Sequence, residues 1–110
     1  MIFQRVVPPH PSIDIGHRFQ RAPHVASTRH GAETILLDVK RERYHTLNDV
    51  GTRIWELLAG GATLSTIVEV IRKEYEVPTA AGADQLEQDV TLLLKQLYGA
   101  GLLVSVQADA

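Results

Sequence analysis

Few residues in this 110-residue chain have the types and spacing that chemistry would need. The histidines are the first candidates for a metal site, at His10, His17, His24, His30 and His45. No two stand four apart on a helix or two apart on a strand, the spacings that set two imidazoles on one face, so the sequence is read as offering no metal site. Ser65 and Ser105 lack the glycine-flanked turn that exposes a hydrolytic serine. Gly60-Gly61-Ala62-Thr63 precedes a helix but lacks the lysine and length of a phosphate loop, so it reads as a helix stop followed by a new cap. Without cysteine there is no thiolate nucleophile and no disulfide framework. With no nucleophile, base and orienting group to place together, an enzyme is the least supported class.

What remains is chemistry of recognition, on a helix expected over residues 83–98. At about 100° per residue, Leu86, Val90, Leu93, Leu94 and Leu97 share one core-facing arc. Asp84, Glu87, Gln88, Thr91 and Lys95 share a solvent arc. Leu92 belongs to neither and falls on a flank with Gln85, Asp89 and Gln96. An apolar anchor framed by amides and a carboxylate suits the wall of a peptide groove. Isolated surface leucines are common, however, and the residues alone favour that plainer reading.

The elements that would position this flank can be read from the chain. Thr34 to Val39 alternates, with Ile35, Leu37 and Val39 on one side and Leu36 and Asp38 on the other, the period of a strand with one buried face. Lys40-Arg41-Glu42 turns the chain and Arg43 to Leu47 returns. With a weaker strand over His24 to Arg29, this makes a three-stranded antiparallel meander that needs a helical cover. Asn48 is a helix N-cap, with Asp49 at the positive end of the dipole. Val50, Ile54, Leu57 and Leu58 recur at helical spacing until Gly60-Gly61, with Trp55 as a core aromatic. Thr63 caps a second helix striped by Leu64, Ile67, Val68, Ile71 and Tyr75, which Val77-Pro78 breaks. Residues 1–22 show no sustained period and read as an extended, mobile arm, residues 23–106 as the domain and residues 107–110 as a tail.

Composition permits one domain with one modest core, since 45% of the residues are hydrophobic. The start lacks a signal-peptide run and no segment reaches the roughly 18 apolar residues of a membrane span. A cytoplasmic protein without membrane contact is the expectation. Net charge is −2 but unevenly spread: residues 1–47 carry seven basic against four acidic side chains, and the remainder four against nine. The acidic helical half argues against a nucleic acid partner. A winged-helix DNA binder would want a basic recognition helix, and residues 83–98 offer Lys95 against Asp84, Glu87 and Asp89.

Leu36-Leu37-Asp38, Arg43-Tyr44, Leu47-Asn48, Gly51, Ile54-Trp55, Leu58, Gly60, Ile67, Tyr75-Glu76-Val77, Asp89-Val90, Leu93, Leu97 and Gly101-Leu102, in this order and spacing, resemble the PqqD family. That family is named for pyrroloquinoline quinone biosynthesis, and its fold recurs as the leader-recognition element of ribosomally made, modified peptides. The similarity covers residues 24–104. One departure is Glu42, where the family usually has glycine in the turn before the tyrosine, which leaves the register of Arg43 to Leu47 open.

The resemblance implies an α+β, winged-helix-like domain, a three-stranded antiparallel sheet packed on a three-helix bundle, with no cofactor and no chemistry of its own. It implies a leader peptide that adds as a strand beside Arg43, Tyr44, His45, Thr46 and Leu47 and lies along the third helix. Leu92 and Leu93 would seat an apolar leader residue, Gln85, Asp89 and Gln96 would meet polar neighbours, and Arg43 or His45 acidic ones. Within the family, His24-Val25 ahead of the first strand and the Leu-Leu-Asp of the next strand resemble the stand-alone recognition proteins of lasso-peptide clusters, whose partner is a separate leader peptidase. The resemblance to members of the quinone pathway, whose partner is a radical enzyme, is weaker. A homodimer burying Leu92 against another copy is the remaining rival.

Overall fold

The computed structural model describes residues 17–77 and 79–106. Its elements in chain order are β1 (Arg18–Arg21), β2 (Val25–His30), β3 (Glu33–Asp38), β4 (Arg43–Leu47), α1 (Asp49–Leu57), β5 (Ala62–Thr63), α2 (Leu64–Glu74), α3 (Ala80–Gly99) and β6 (Leu103–Val106). The architecture is α+β, with three helices and two three-stranded antiparallel sheets ordered β2-β3-β4 and β5-β1-β6. The first sheet is the expected meander. The other sheet is not expected from the sequence.

Turn chemistry sets the meander. Gly31 takes φ +61° at the β2–β3 turn, where a side chain would be strained. At the β3–β4 turn the left-handed position falls to Glu42, φ +54°. The glutamate takes the positive φ that glycine adopts most readily, and β4 pairs with β3 from Asp38↔Arg43 to Thr34↔Leu47 without a slip.

The buried face of β3 is the opposite of what apolar alternation suggests. Thr34, Leu36 and Asp38 are buried, while Ile35 and Leu37 are half-buried on the outer side and Val39 is exposed. Asp38 is inside because it closes the turn: its carboxylate accepts from the Arg41 backbone N–H and from Arg41 Nη1, both at 3.0 Å, with His24 Nε2 3.7 Å away. Burial alone would raise this carboxyl, but those hydrogen bonds and the charges of Arg41 and His24 outweigh it and hold it below the ordinary aspartate value.

Each helix starts at a side-chain cap. Asn48 Oδ1 accepts from Gly51 N at 2.8 Å, Thr63 Oγ1 from Thr66 N at 3.1 Å, and Thr79 Oγ1 from Gly82 N at 2.9 Å. The third cap starts α3 at Ala80, three residues earlier than Ala83, because it satisfies the amide of Gly82 where the glycine would otherwise argue for a loop. Trp55 is in the core with Ile54, Leu58, Ile67, Ile71 and Leu94, and Leu36 closes that core from the sheet.

The arm expected over residues 1–22 does not extend to residue 22. Arg18 to Arg21 pairs with β6 from Arg18↔Val106 to Arg21↔Leu103, and Phe19 pairs with Ala62 of β5. Phe19 is fully buried, its ring stacked on His17 at 4.6 Å and edge-on to Tyr98 of α3 at 5.5 Å. Arg21 donates to the Trp55 carbonyl from Nε and Nη2 at 3.0 and 2.7 Å and lies over the indole. An aromatic side chain this buried repays the ordering of a short strand, and Ala22 is buried behind it. Residues 1–16 and the 107–110 tail lie outside the described residues. None of the described helices is long and apolar enough to cross a membrane.

Candidate functional site

In the sheet ordered β2-β3-β4, β4 has only one neighbour, so one of its edges carries backbone groups unpaired within the sheet. Beside it runs α3 in the opposite sense. Leu86 and Leu93, in the middle of α3, share one depression with Thr46 and Leu47 at the end of β4. Gly99 and Ala100, at the end of α3, share another with Arg43 and His45 at the start of β4. The two depressions, about 530 and 550 Å3, share no lining residue but lie at the two ends of β4. One is walled by α1 and the middle of α3 and the other by the β3–β4 turn and the end of α3, and together they make up the trough along this strand. Five residues of β4 at about 3.3 Å each make its strand wall roughly 16 Å long, enough for an extended segment of five or six residues.

The first end is apolar. Leu47, Val50 and Ile54 close it from β4 and α1, and Leu86, Val90 and Leu93 from α3, with Asp89 at the lip. Gly51 matters to its shape, since a Cβ there would come within 3.2 Å of Leu47 Cβ. Gln85 Nε2 donates to Asp89 Oδ1 at 2.9 Å, which fixes the carboxylate along the helix while leaving acceptor capacity. The opposite end is basic on balance: Arg41, Arg43 and His45 line it together with Asp38, whose carboxylate is paired with Arg41. Arg41 also lies against the α3 terminus, where a Cβ on Gly101 would come within 2.7 Å of its Nη1.

The trough thus gathers Thr46, Leu47, Asp89 and Leu93 at one end and Arg43 and His45 at the other. Tyr44 is 72% exposed, and its alternation places it on the outer face with the half-buried Leu37 opposite. Leu92 is 55% exposed and lines a separate shallow depression with Glu87, Gln88, Thr91 and Lys95, not the trough floor. On the helical wheel it stands just beyond Gln85 and Gln96, on the outer rim of the Asp89 side. Reasoning from sequence missed Leu86 and Val90 as groove residues because it assigned them wholly to the core. Their place within about 60° of Leu93 on the helical wheel was the signal available. Elsewhere, His17 Nε2 and Ser105 Oγ lie 2.6 Å apart, a cross-strand contact beside the Phe19↔Ser105 pair of β1 and β6.

An edge strand beside a helix-walled trough defines a class of fold that accepts an extended chain, and comparison with known proteins narrows it. The family model described as coenzyme PQQ synthesis protein D (PqqD) matches residues 33–103. This chain belongs to the PqqD family. A solved structure described as TbiB1 in complex with the TbiA(beta) leader peptide is similar at 32% identity and a TM-score of 0.69, over 82% of this chain and 99% of that one. Another, lasso peptide synthetase B1 complexed with the leader peptide, shares the fold at 24% identity and a TM-score of 0.66, over 78% and 96%. No curated protein matches the chain.

Proposed function

We propose that this chain is a non-catalytic adaptor that binds the leader segment of a ribosomally synthesised precursor peptide and delivers it to a maturation enzyme, in the setting of lasso-peptide biosynthesis. The observation that carries the reading is the trough: an unpaired strand edge on one side, a helix wall on the other, and an apolar floor at one end. Its support from outside the chain is the similarity to TbiB1, which was solved with a leader peptide.

Strand addition to β4 supplies hydrogen bonds to backbone and so tolerates many sequences. Selection comes from side chains that reach the trough. Leu47, Leu86 and Leu93 seat an apolar leader residue. Asp89, held by Gln85, accepts from a donor beside it, and Gln96 and Leu92 form the outer rim. A disordered leader loses conformational freedom on docking, so its affinity rests on a few anchors. Once docked, it holds the rest of the precursor at high effective concentration near an enzyme bound to the same complex, for which a separate leader peptidase is the candidate.

The reading is tested by titrating the protein into the fluorescently labelled leader of its cognate precursor and following anisotropy. Saturable binding is expected, and Thr46→Pro should weaken it strongly, because proline removes a backbone donor and fixes φ at the edge. Undiminished binding by a folded Thr46→Pro protein would exclude addition at β4. Absence of binding with monomer converting to dimer in sedimentation would favour the homodimer instead.

A further inference from the structure

The two ends of the trough differ in charge, and that difference specifies a ligand more narrowly than an apolar groove does. We propose that the end formed by Arg43, His45, Arg41 and the α3 terminus is a carboxylate subsite, so that the bound peptide carries an aspartate or glutamate four residues from its apolar anchor. The inference rests on the adaptor reading and deepens it.

The charge accounting at this end singles out Arg43. Arg41 is committed, since its guanidinium donates to the buried Asp38 at 3.0 Å and packs against the α3 terminus. It therefore offsets both the Asp38 carboxylate, which lines the same depression, and the partial negative charge of the helix end. Arg43 has no ion-pair partner among the described residues, is exposed, and borders the same depression. The cavity thus holds an uncompensated cation with room for a side chain, and a peptide carboxylate is the group that pairs with it through the planar guanidinium fork. A basic peptide side chain there would face Arg43 without compensation.

The spacing follows from strand geometry. Arg43, His45 and Leu47 alternate onto one face of β4, and His45 and Leu47 are its half-buried and buried members. A strand added at matched rise presents its own alternate residues to the same wall. The residues opposite Leu47 and Arg43 are then four apart, about 13 Å. Asp89 at the apolar end disfavours an acid there, so the charge pattern of the trough also sets the direction in which the peptide lies.

The test uses the labelled leader of the cognate precursor in two forms, unaltered and with its aspartates and glutamates changed to asparagine and glutamine, against wild-type protein and Arg43→Gln. Neutralising the peptide should weaken binding to the wild type about tenfold and have little further effect on Arg43→Gln. Restoring only the acid four residues from the apolar anchor should recover the wild-type affinity. Equal affinity of both peptides for the wild type, or losses that simply multiply in Arg43→Gln, would overturn the carboxylate subsite while leaving the adaptor standing. Failure of every form to bind the wild type would overturn both.

Discussion

Replacing Phe19 by alanine is the sharpest test of the fold, because it separates a structural strand from a dangling arm. Phe19 is fully buried between His17, Tyr98 and the residues of β5 and β6. Truncating a buried phenylalanine to alanine costs about 3–5 kcal/mol, the transfer of the ring plus the cavity it leaves. A domain of this size has about 5–15 kcal/mol in total, so about a fifth of the stability or more is at stake. At roughly 4 °C or more per kcal/mol, Tm should fall by about 12 °C or more. Because Tyr98 is on α3, the same change should loosen the helix wall of the trough, lowering leader affinity well below the denaturation temperature. Thermal unfolding followed by circular dichroism reads the first effect and anisotropy the other. A shift of a degree or two, the size expected of an exposed residue within about 0.5 kcal/mol, would refute the placement of β1 in the core.

Other changes probe the site and the turns. Leu92→Arg should leave stability within about 0.5 kcal/mol, since the side chain is more than half exposed, while weakening leader binding through the outer rim; a large fall in Tm would place Leu92 in the core. Glu42→Gly should raise stability by up to about 1 kcal/mol in chemical denaturation, the relief of a left-handed glutamate less the added freedom of the unfolded chain, and a loss would mean the φ is not strained. Asp38 should make the protein acid-labile. Its folded-state value is depressed, so the unfolded chain takes up the proton first and the stabilisation is lost as pH falls through the range below the ordinary aspartate value. Asp38→Asn should flatten that acid limb in denaturant titrations from pH 6 to pH 2, and an unchanged limb would exclude Asp38 as its source.

Much of this arrangement is written locally in the sequence. The caps at Asn48 and Thr63, the strand pair around the Lys40–Glu42 turn and the stripe of α2 all depend on residues within a few positions of one another. The sheet ordered β5-β1-β6 does not. In β1 only Phe19 is apolar, among Arg18, Gln20 and Arg21, so no period exists to detect, and its partners β5 and β6 lie more than 40 residues away. The buried face of β3 misleads for a different reason: a paired carboxylate, Asp38, takes an interior position that apolar alternation would deny it. The Asp89 and Leu93 side of the trough was legible because helical spacing sets a polar flank next to a core arc. That Leu86 and Val90 also border it depends on how far α3 stands from β4, which no local pattern encodes.

Backbone amide exchange along β4 tests strand addition most directly. With labelled leader at saturation, amides within Arg43 to Leu47 that are unpaired in the free sheet should exchange markedly more slowly than without it, while the exposed strand β2 on the opposite edge is unaffected. Tight leader binding with no change in β4 exchange would contradict the account, placing the peptide elsewhere on the protein.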